Sequence, residues 1–180
     1  MRLFANVILV LALFLSACGK NYEMGSKGPA GGIVFFDKGK KTHGWRYLEA
    51  APDSVEFDAI WSQLFFDVPG TLPEIGKGKS NTQLMIEELK KRDEERTAAQ
   101  LCAELTLGKY NDWFLPSKDE LNHLYLNLKL FGVGKFVDNW YWTSTQLENY
   151  DVWLLNFETG QMDQMFFKYH MYRVRPIRAF

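Results

Sequence analysis

The sequence predicts a single α+β domain, with strands near both ends of the chain and about three helices between them. Short apolar segments typical of strands occur at residues 32–37 and 45–50 and again from residue 141 onward, whereas apolar residues recur at helical spacing between residues 82 and 128. The 180 residues are enough for one domain with a hydrophobic core and too few for two. We therefore expect the terminal strands to meet in a common antiparallel sheet.

The chain begins with the features of a secretory signal. Arg2 supplies a positive charge, and the run from Leu3 to Leu15 is apolar except for Asn6. This run is shorter than the ~20 residues that a membrane-spanning helix needs. Small residues then lead into a cysteine, in the order Leu15-Ser16-Ala17-Cys18. An ordinary cleaved signal followed by a chance cysteine would share these features, but the ending resembles a bacterial lipobox.

The lipobox resemblance implies cleavage before Cys18 and acylation of that cysteine. It predicts a signal peptide at residues 1–17, a lipidated tether at residues 18–27 and a folded domain at residues 28–180. The lipid on Cys18 would attach the protein to a membrane without a transmembrane helix, because each buried methylene contributes ~0.8 kcal/mol. We expect a location in the bacterial cell envelope, with the outer membrane or cell surface favoured because Gly19 follows the cysteine.

The composition excludes one broad class of function. Lysine and arginine number 21 against 22 aspartates and glutamates, which gives a formal net charge of −1. Without a dominant basic field, the chain is not expected to bind nucleic acid. Aromatic residues make up 16% of the sequence, and rings at this density serve either a rigid core or a recognition surface.

The first part of the domain is expected to form a hairpin followed by a long irregular segment. Strands at residues 32–37 and 45–50 flank residues 38–44, which have the composition of a hairpin loop. Prolines and glycines interrupt residues 52–79, which show no sustained period. A loop of this length inside a compact domain is usually functional or ordered by packing.

Three helices are predicted in the middle of the chain. The first covers residues 82–91 and is capped by Ser80 or Asn81. The second ends near Gly108, a residue type that commonly follows a helix C-terminus. The third begins with a capping box at residues 117–120 and carries an apolar stripe on one face.

Four aromatic-rich strands are predicted after the helices. They are expected at residues 141–145, 152–157, 165–169 and 172–178. The clearest turn among them lies at residues 158–161. Together with the opening hairpin, these strands complete the α+β pattern.

Cys102 is the cysteine that remains if Cys18 is acylated. It shares one helical face with Ala98, Leu101 and Leu105. A buried free cysteine behaves as a small apolar residue, so we expect Cys102 to pack in the core. Catalysis and disulfide exchange are the alternatives.

No catalytic residue, metal site or cofactor is predicted. The three histidines, which are His43, His123 and His170, show no metal-ligand spacing. Oxygen ligands for calcium are available at Asn111, Asp112, Asp119 and Glu120, but a tight turn and a helix N-terminus account for them better. The segment 78–80 lacks the earlier glycine of a phosphate-binding loop, because Pro73 occupies that position.

The candidate ligand-binding residues lie in the last strands. The aromatic candidates are Trp140, Trp142, Tyr150 and Trp153. Because successive residues of a strand face opposite sides, one face is expected to fill the core and the other to present rings to a sugar or a protein. The basic candidates are Arg173, Arg175 and Arg178, which form a ridge suited to acidic groups. Both sets serve equally well as structural residues, with the arginines paired to local carboxylates such as Asp151 and Glu158.

Several ordered segments carry a family resemblance. They are Gly28–Asp37, Gly44–Pro52, Ile75–Thr82, Tyr110–Leu121, Tyr141–Thr145 and Val174–Phe180. Through them, residues 28–180 resemble the Lcl C-terminal domain family, which recurs in exported bacterial proteins and lipoproteins. The founding member is a surface adhesin whose C-terminal domain is associated with binding of sulfated glycans. The motifs at residues 113–121 and at the C-terminus are also similar to the formylglycine-generating-enzyme superfamily, which has a C-type-lectin-like core.

The resemblance implies a C-type-lectin-like core and a function without catalysis. We expect a membrane-anchored exported lipoprotein that binds a glycan, an extracellular-matrix component or an envelope protein, as an adhesin does. Enzymes of the formylglycine-generating superfamily use a cysteine pair, whereas Cys102 stands alone, so enzymatic activity is not expected. One alternative is an enzyme with an unrecognised site, for which Cys102 and Arg175 are the candidates. The other is a purely structural envelope lipoprotein.

Overall fold

A computed structural model of the protein describes residues 20–147, 150–165 and 167–180. These residues form three α-helices and eight β-strands in two sheets, which confirms the predicted α+β fold. The predicted signal peptide and Cys18 lie outside the described residues. Within the described part of the chain, no helix has the length and apolar character needed to cross a membrane.

Strands occupy both ends of the described chain and the helices lie between them. The strands are β1 (Ile33–Thr42), β2 (Trp45–Ala50), β3 (Phe57–Ala59), β4 (Trp140–Gln146), β5 (Val152–Asn156), β6 (Met162–Met165), β7 (Tyr172–Val174) and β8 (Ile177–Ala179). The helices are α1 (Gly78–Lys90), α2 (Ala98–Glu104) and α3 (Lys118–Asn127). Short 3₁₀ turns occur at Asp53–Val55 and Lys129–Phe131.

The first sheet joins the two ends of the domain. Its strand order is β1-β2-β8 and both pairs are antiparallel, as predicted. The loop predicted at residues 38–44 is wrong, because β1 continues to Thr42 and only His43 and Gly44 make the turn. These two residues have φ angles of 50° and 84°, and a two-residue hairpin turn of type I′ requires positive φ angles at both positions.

The second sheet contains the other five strands, in the order β3-β7-β4-β5-β6. The strand predicted at residues 172–178 divides at Pro176 into β7 and β8, which belong to different sheets. Proline has no N–H to donate to a ladder and therefore interrupts the strand. The strand predicted at residues 165–169 is also wrong, because β6 covers Met162–Met165 and ends where Met165 pairs with Val152 of β5.

Helix α1 starts earlier than predicted, and neither Ser80 nor Asn81 caps it. Asn81 is buried and holds the preceding loop instead, since its Oδ1 accepts from Leu72 N at 2.9 Å and its Nδ2 donates to Leu72 O at 2.7 Å. The first residue, Gly78, has almost no free space, because an added Cβ would lie 2.2 Å from Glu120 Oε2. Close packing explains this glycine without a bound phosphate.

The end predicted for helix α2 is wrong, whereas the start predicted for helix α3 is correct. Helix α2 ends at Glu104, short of the glycine at position 108. The capping box of α3 is confirmed, since Ser117 Oγ accepts from Glu120 N and Glu120 Oε2 accepts from Ser117 N at 2.7 Å.

Two apolar clusters cover the two faces of the second sheet. Trp142 belongs to the cluster that includes α1 and α2, and Tyr141 belongs to the cluster formed with α3 and the first sheet. Neighbouring residues of a strand point to opposite faces, so β4 is buried on both sides. Cys102 packs in the first cluster, which confirms its predicted place in the core.

The chain already packs on the first sheet at Tyr22, within the segment predicted to be a tether. The Tyr22 ring makes edge contacts with the rings of Tyr47, at 5.4 Å between centroids, and Phe180, at 5.1 Å. The backbone N–H of residue 25 also donates to the carbonyl of residue 34 at 2.8 Å. The ordered domain therefore extends further toward the N-terminus than predicted.

Candidate functional site

The four aromatic candidates do not form one ligand-binding surface. Trp142 is fully buried, and its Nε1 donates to the carbonyl of Ala59 at 3.0 Å, so it is inaccessible to a ligand. Trp140 lies on the same face of β4 and is half-buried. Trp142 lies opposite residue 154 of β5, so the neighbouring Trp153 points to the other face of the sheet. Tyr150 is 40% exposed and lies outside the strands.

The two arginines before Pro176 are structural residues. Arg175 is buried and donates through Nε to Glu56 Oε2 at 2.6 Å, and its Nη atoms reach the carbonyl of Gly134 at 3.1 Å. Arg173 donates through Nη2 to the other oxygen of Glu56 at 2.6 Å. Burial of these guanidinium groups requires a carboxylate partner, and Glu56 supplies it in place of the local acids expected from the sequence.

Arg178 is also engaged inside the protein. Its Nε and Nη2 form a bidentate pair with Asp112 at 2.7 and 2.9 Å, and its Nη1 donates to Glu49 at 2.7 Å. Burial alone would raise the pKa of Asp112, but the pairing with Arg178 lowers it below its ordinary value. Asp112 therefore serves this ion pair. The basic ridge expected on the last strand is not a free surface feature, because its arginines are paired with the buried Glu49 and Glu56 and with the partly exposed Asp112.

Cys102 does not offer a reactive thiol in the folded protein. It is fully buried, and burial raises its pKa well above the ordinary value. Arg175, its proposed partner in an enzymatic site, is occupied by Glu56. Neither side chain is accessible to a substrate.

A basic groove lies beside the first sheet, where two cavities adjoin. Two adjoining cavities of about 560 and 290 Å³ share His43, Trp45 and Gly76. The tip of the β1–β2 hairpin forms one wall, and the loop before α1 forms the other. We use the term basic groove for these two cavities together.

Three lysines line the basic groove and give it a positive charge. Lys38 comes from the hairpin, Lys77 from the opposite loop and Lys79 from the first turn of α1. Lys38 Nζ lies 3.6 Å from the centroid of the Trp45 ring and donates to the carbonyl of Thr42 at 2.6 Å. Desolvation lowers the pKa of Lys38. The groove thus combines ammonium groups with the face of a large ring.

Glu120 lies buried at the base of the second cavity. Its Oε1 accepts from Gly76 N at 2.8 Å, and its Oε2 accepts from Ser117 N at 2.7 Å. Burial raises the pKa of Glu120 to about 7, although these N–H donors act in the opposite direction. The carboxyl therefore ties the groove wall to the N-terminus of α3.

The sequence contained both walls of the basic groove but no sign that they meet. The hairpin residues were expected to form a polar loop, and the segment before α1 was expected to be irregular. Both walls overlap segments that carry the family resemblance, Gly44–Pro52 and Ile75–Thr82. That overlap is the signal that would have pointed to this site. Among the described residues, no group of three or more histidine, cysteine, aspartate or glutamate side chains has a metal-binding arrangement.

Comparisons with known proteins identify the family of the chain. A search of curated proteins finds no match. The sequence model of the Lcl C-terminal domain matches residues 71–178, which is more than half of the chain. The match includes Lys77, Lys79 and Glu120 of the basic groove, whereas the hairpin that carries Lys38 and Trp45 precedes it. The chain therefore belongs to the Lcl C-terminal domain family.

Proposed function

We propose that this protein is an exported, lipid-anchored binding module without catalytic activity, and that its basic groove binds an acidic glycan. The observation that carries the proposal is the groove itself, which is lined by three lysines and by Trp45, with the Lys38 ammonium over the Trp45 ring. Its larger cavity, of about 560 Å³, falls in the range of roughly 300–1,000 Å³ typical of small-ligand sites, and the adjoining cavity of about 290 Å³ lies at the lower limit of that range.

The chemistry of the groove favours sulfated or carboxylated sugars. Lysine ammonium groups attract compact anions as point charges. The aromatic face of Trp45 offers an apolar platform against which the face of a sugar ring can pack. This combination agrees with the sulfated-glycan binding that the family resemblance implies. The local concentration of lysines supplies the basic surface that the net charge of −1 does not suggest.

The anchoring part of the proposal rests on the N-terminal sequence. The apolar run followed by Leu15-Ser16-Ala17-Cys18 supports export and acylation. Acylation would hold the groove at a bacterial envelope surface, where an acidic glycan or matrix component is accessible. Mass spectrometry of the mature N-terminus tests this part directly.

Binding of a sulfated oligosaccharide should be measured by calorimetry with the wild-type domain and two double variants. Lys77→Ala with Lys79→Ala removes two charges from the groove, and Lys90→Ala with Lys91→Ala removes two from the far end of the same helix as a matched control. We expect the first pair to weaken binding at least about tenfold at low salt and the second less than about twofold, because exposed charges are screened beyond ~10 Å.

Salt dependence separates the lysine contribution from the aromatic one. Binding that falls steeply as salt increases supports the lysines, and residual binding lost in Trp45→Ala supports ring stacking. Unchanged affinity in the Lys77 and Lys79 double variant would contradict the assignment of the groove. A domain that binds no acidic glycan at all would contradict the proposed function.

A further inference from the structure

A second surface, on the side of the first sheet away from the core, carries aromatic rings with a cationic rim. We call it the outer cluster and define it by the half-buried rings of Tyr22, Tyr110 and Phe180 and the buried ring of Tyr47, with Lys20, Arg46 and Lys109 at the rim. Arg46 is ion-paired with Asp37 at 2.8 Å, so the two exposed lysines supply the net positive charge of the rim. The ring of Phe180 stacks on Tyr47 at 5.4 Å and meets the edge of Tyr22 at 5.1 Å. The guanidinium of Arg178 lies 4.4 Å from Tyr110 and 5.6 Å from Phe180 and so connects the rings.

Each rim cation of the outer cluster lies over one of its rings. Lys20 Nζ is 4.9 Å from the Tyr22 centroid, and Lys109 Nζ is 5.5 Å from the Tyr110 centroid. Lys20 and Lys109 are both exposed. Tyrosines with lysines that extend toward polar surroundings are typical of protein surfaces at a membrane–water interface.

At the level of Tyr47 and Leu48, the outer cluster and the basic groove lie on opposite faces of the first sheet, whereas Trp45 and Arg46 at the start of β2 do not follow this alternation. Leu48 and Ala179 line the groove, whereas their chain neighbours Tyr47 and Phe180 belong to the outer cluster. Successive residues of a strand point to opposite faces. A surface that covers the outer cluster would therefore leave the groove open.

The tether is too short to let this face move far from an acyl chain on Cys18. Tyr22 is already packed on Tyr47 and Phe180, so only residues 19–21 separate the packed chain from Cys18. A fully extended chain over that span reaches about 14 Å at ~3.6 Å per residue. The face nearest the lipid attachment point is thus the face that carries the outer cluster.

We propose that the outer cluster rests on the surface of a phospholipid bilayer with anionic headgroups and directs the basic groove away from the membrane. This inference rests on the proposed lipid attachment at Cys18. The short tether selects the face, and the ammonium groups of Lys20 and Lys109 complement the headgroup charge. The rings of Tyr22 and Phe180 then lie at headgroup depth.

The test uses the full lipidated protein in vesicles of phosphatidylcholine and phosphatidylglycerol. An environment-sensitive fluorophore is attached at Lys109→Cys, in the outer cluster, or at Lys79→Cys, in the groove. Both lysines are exposed, and the buried Cys102 does not compete for the label. Quenching by spin-labelled lipids should be several-fold stronger at position 109, and quenching by aqueous iodide should be stronger at position 79.

Two results would overturn the inference, and they are distinguishable. Equal quenching at both positions in a protein that floats with the vesicles would show that the anchored domain has no such orientation. A protein that lacks an acyl chain by mass spectrometry and does not float would remove the anchor itself, and the orientation would fall with it.

Discussion

Replacing Glu56 by glutamine would leave two arginines around a neutral side chain in the protein interior. The Glu56 side chain is only 2% exposed, and its carboxylate accepts from Arg175 Nε at 2.6 Å and from Arg173 Nη2 at 2.6 Å. The hydroxyl of Tyr141 donates to the same carboxylate at 2.8 Å. Glutamine has nearly the same shape, so the change removes the charge with little change in packing.

The expected loss of stability follows from the burial of Arg175. Removing one partner of a buried ion pair costs about 3–5 kcal/mol, because the remaining charge has no compensation. Arg175 keeps hydrogen bonds to the carbonyls of Ala51 and Gly134, so we expect a value near the lower limit, about 3 kcal/mol. Asp58→Asn is the matched control. Asp58 is 47% exposed and contacts Arg173 at 3.2 Å, so its loss should cost less than about 1 kcal/mol.

The free energies of unfolding of both variants and of wild type are measured by urea denaturation of residues 20–180, with tryptophan fluorescence as the signal. The slope of the free energy of unfolding against urea concentration should be equal in all three proteins, so that the midpoints report stability. A domain of this kind has a stability of roughly 5–15 kcal/mol, and a loss of about 3 kcal/mol is therefore easily measured. If Glu56→Gln and Asp58→Asn differed by less than about 1 kcal/mol, the reasoning about the buried arginines would be refuted.

Three further predictions concern the core and the base of the groove. Gly78→Ala should destabilise the domain by about 1–3 kcal/mol, because the added Cβ would lie 2.2 Å from Glu120 Oε2 and 2.8 Å from the carbonyl of Leu115. Ser80 is an exposed residue in the same turn, and a Gly78→Ala variant that melts at the same temperature as Ser80→Ala would contradict the predicted loss of stability. Cys102 should react with a thiol reagent only as fast as the domain opens, because burial raises its pKa well above the ordinary value, and rapid labelling of the native protein would be incompatible with its packing. The pKa of Glu120, raised by burial to about 7, should appear as the midpoint of a carboxyl NMR titration. The folded state then holds this proton more tightly than the unfolded chain does, so the contribution of Glu120 to stability is lost as pH rises from 4.5 to about 7. A titration midpoint below 5 would contradict the raised pKa of Glu120.

Elements whose signals are local were predicted well from the sequence. Strand β2 has the bounds expected for it, since the left-handed Gly44 marks its start. The capping box at Ser117 and Glu120 also formed as predicted, because both partners lie within one helical turn. The meeting of the terminal strands followed from the alternation of element types along the chain.

Features that depend on contacts between distant segments were not predictable in this way. Helix α1 begins at Gly78 because the glycine fits against Leu115 and Glu120, which lie far along the sequence. The aromatic residues of β4 were expected to leave one face exposed, but helices and the first sheet cover both faces. The basic groove forms between two segments that each look like ordinary polar loops, and only the folded chain brings them together.

The distribution of charge explains why the overall composition does not indicate the basic groove. A net charge of −1 suggests no basic site, yet the average includes carboxylates that the fold places inside. Glu56 pairs with Arg173 and Arg175 in the interior, and Arg178 pairs with the buried Glu49 and the partly exposed Asp112. Guanidinium groups suit such buried pairs because they bind carboxylates in a fixed planar geometry, whereas lysines remain strongly hydrated at the surface. The arginines therefore neutralise mainly interior carboxylates, whereas the lysines that line the groove give it a local positive charge.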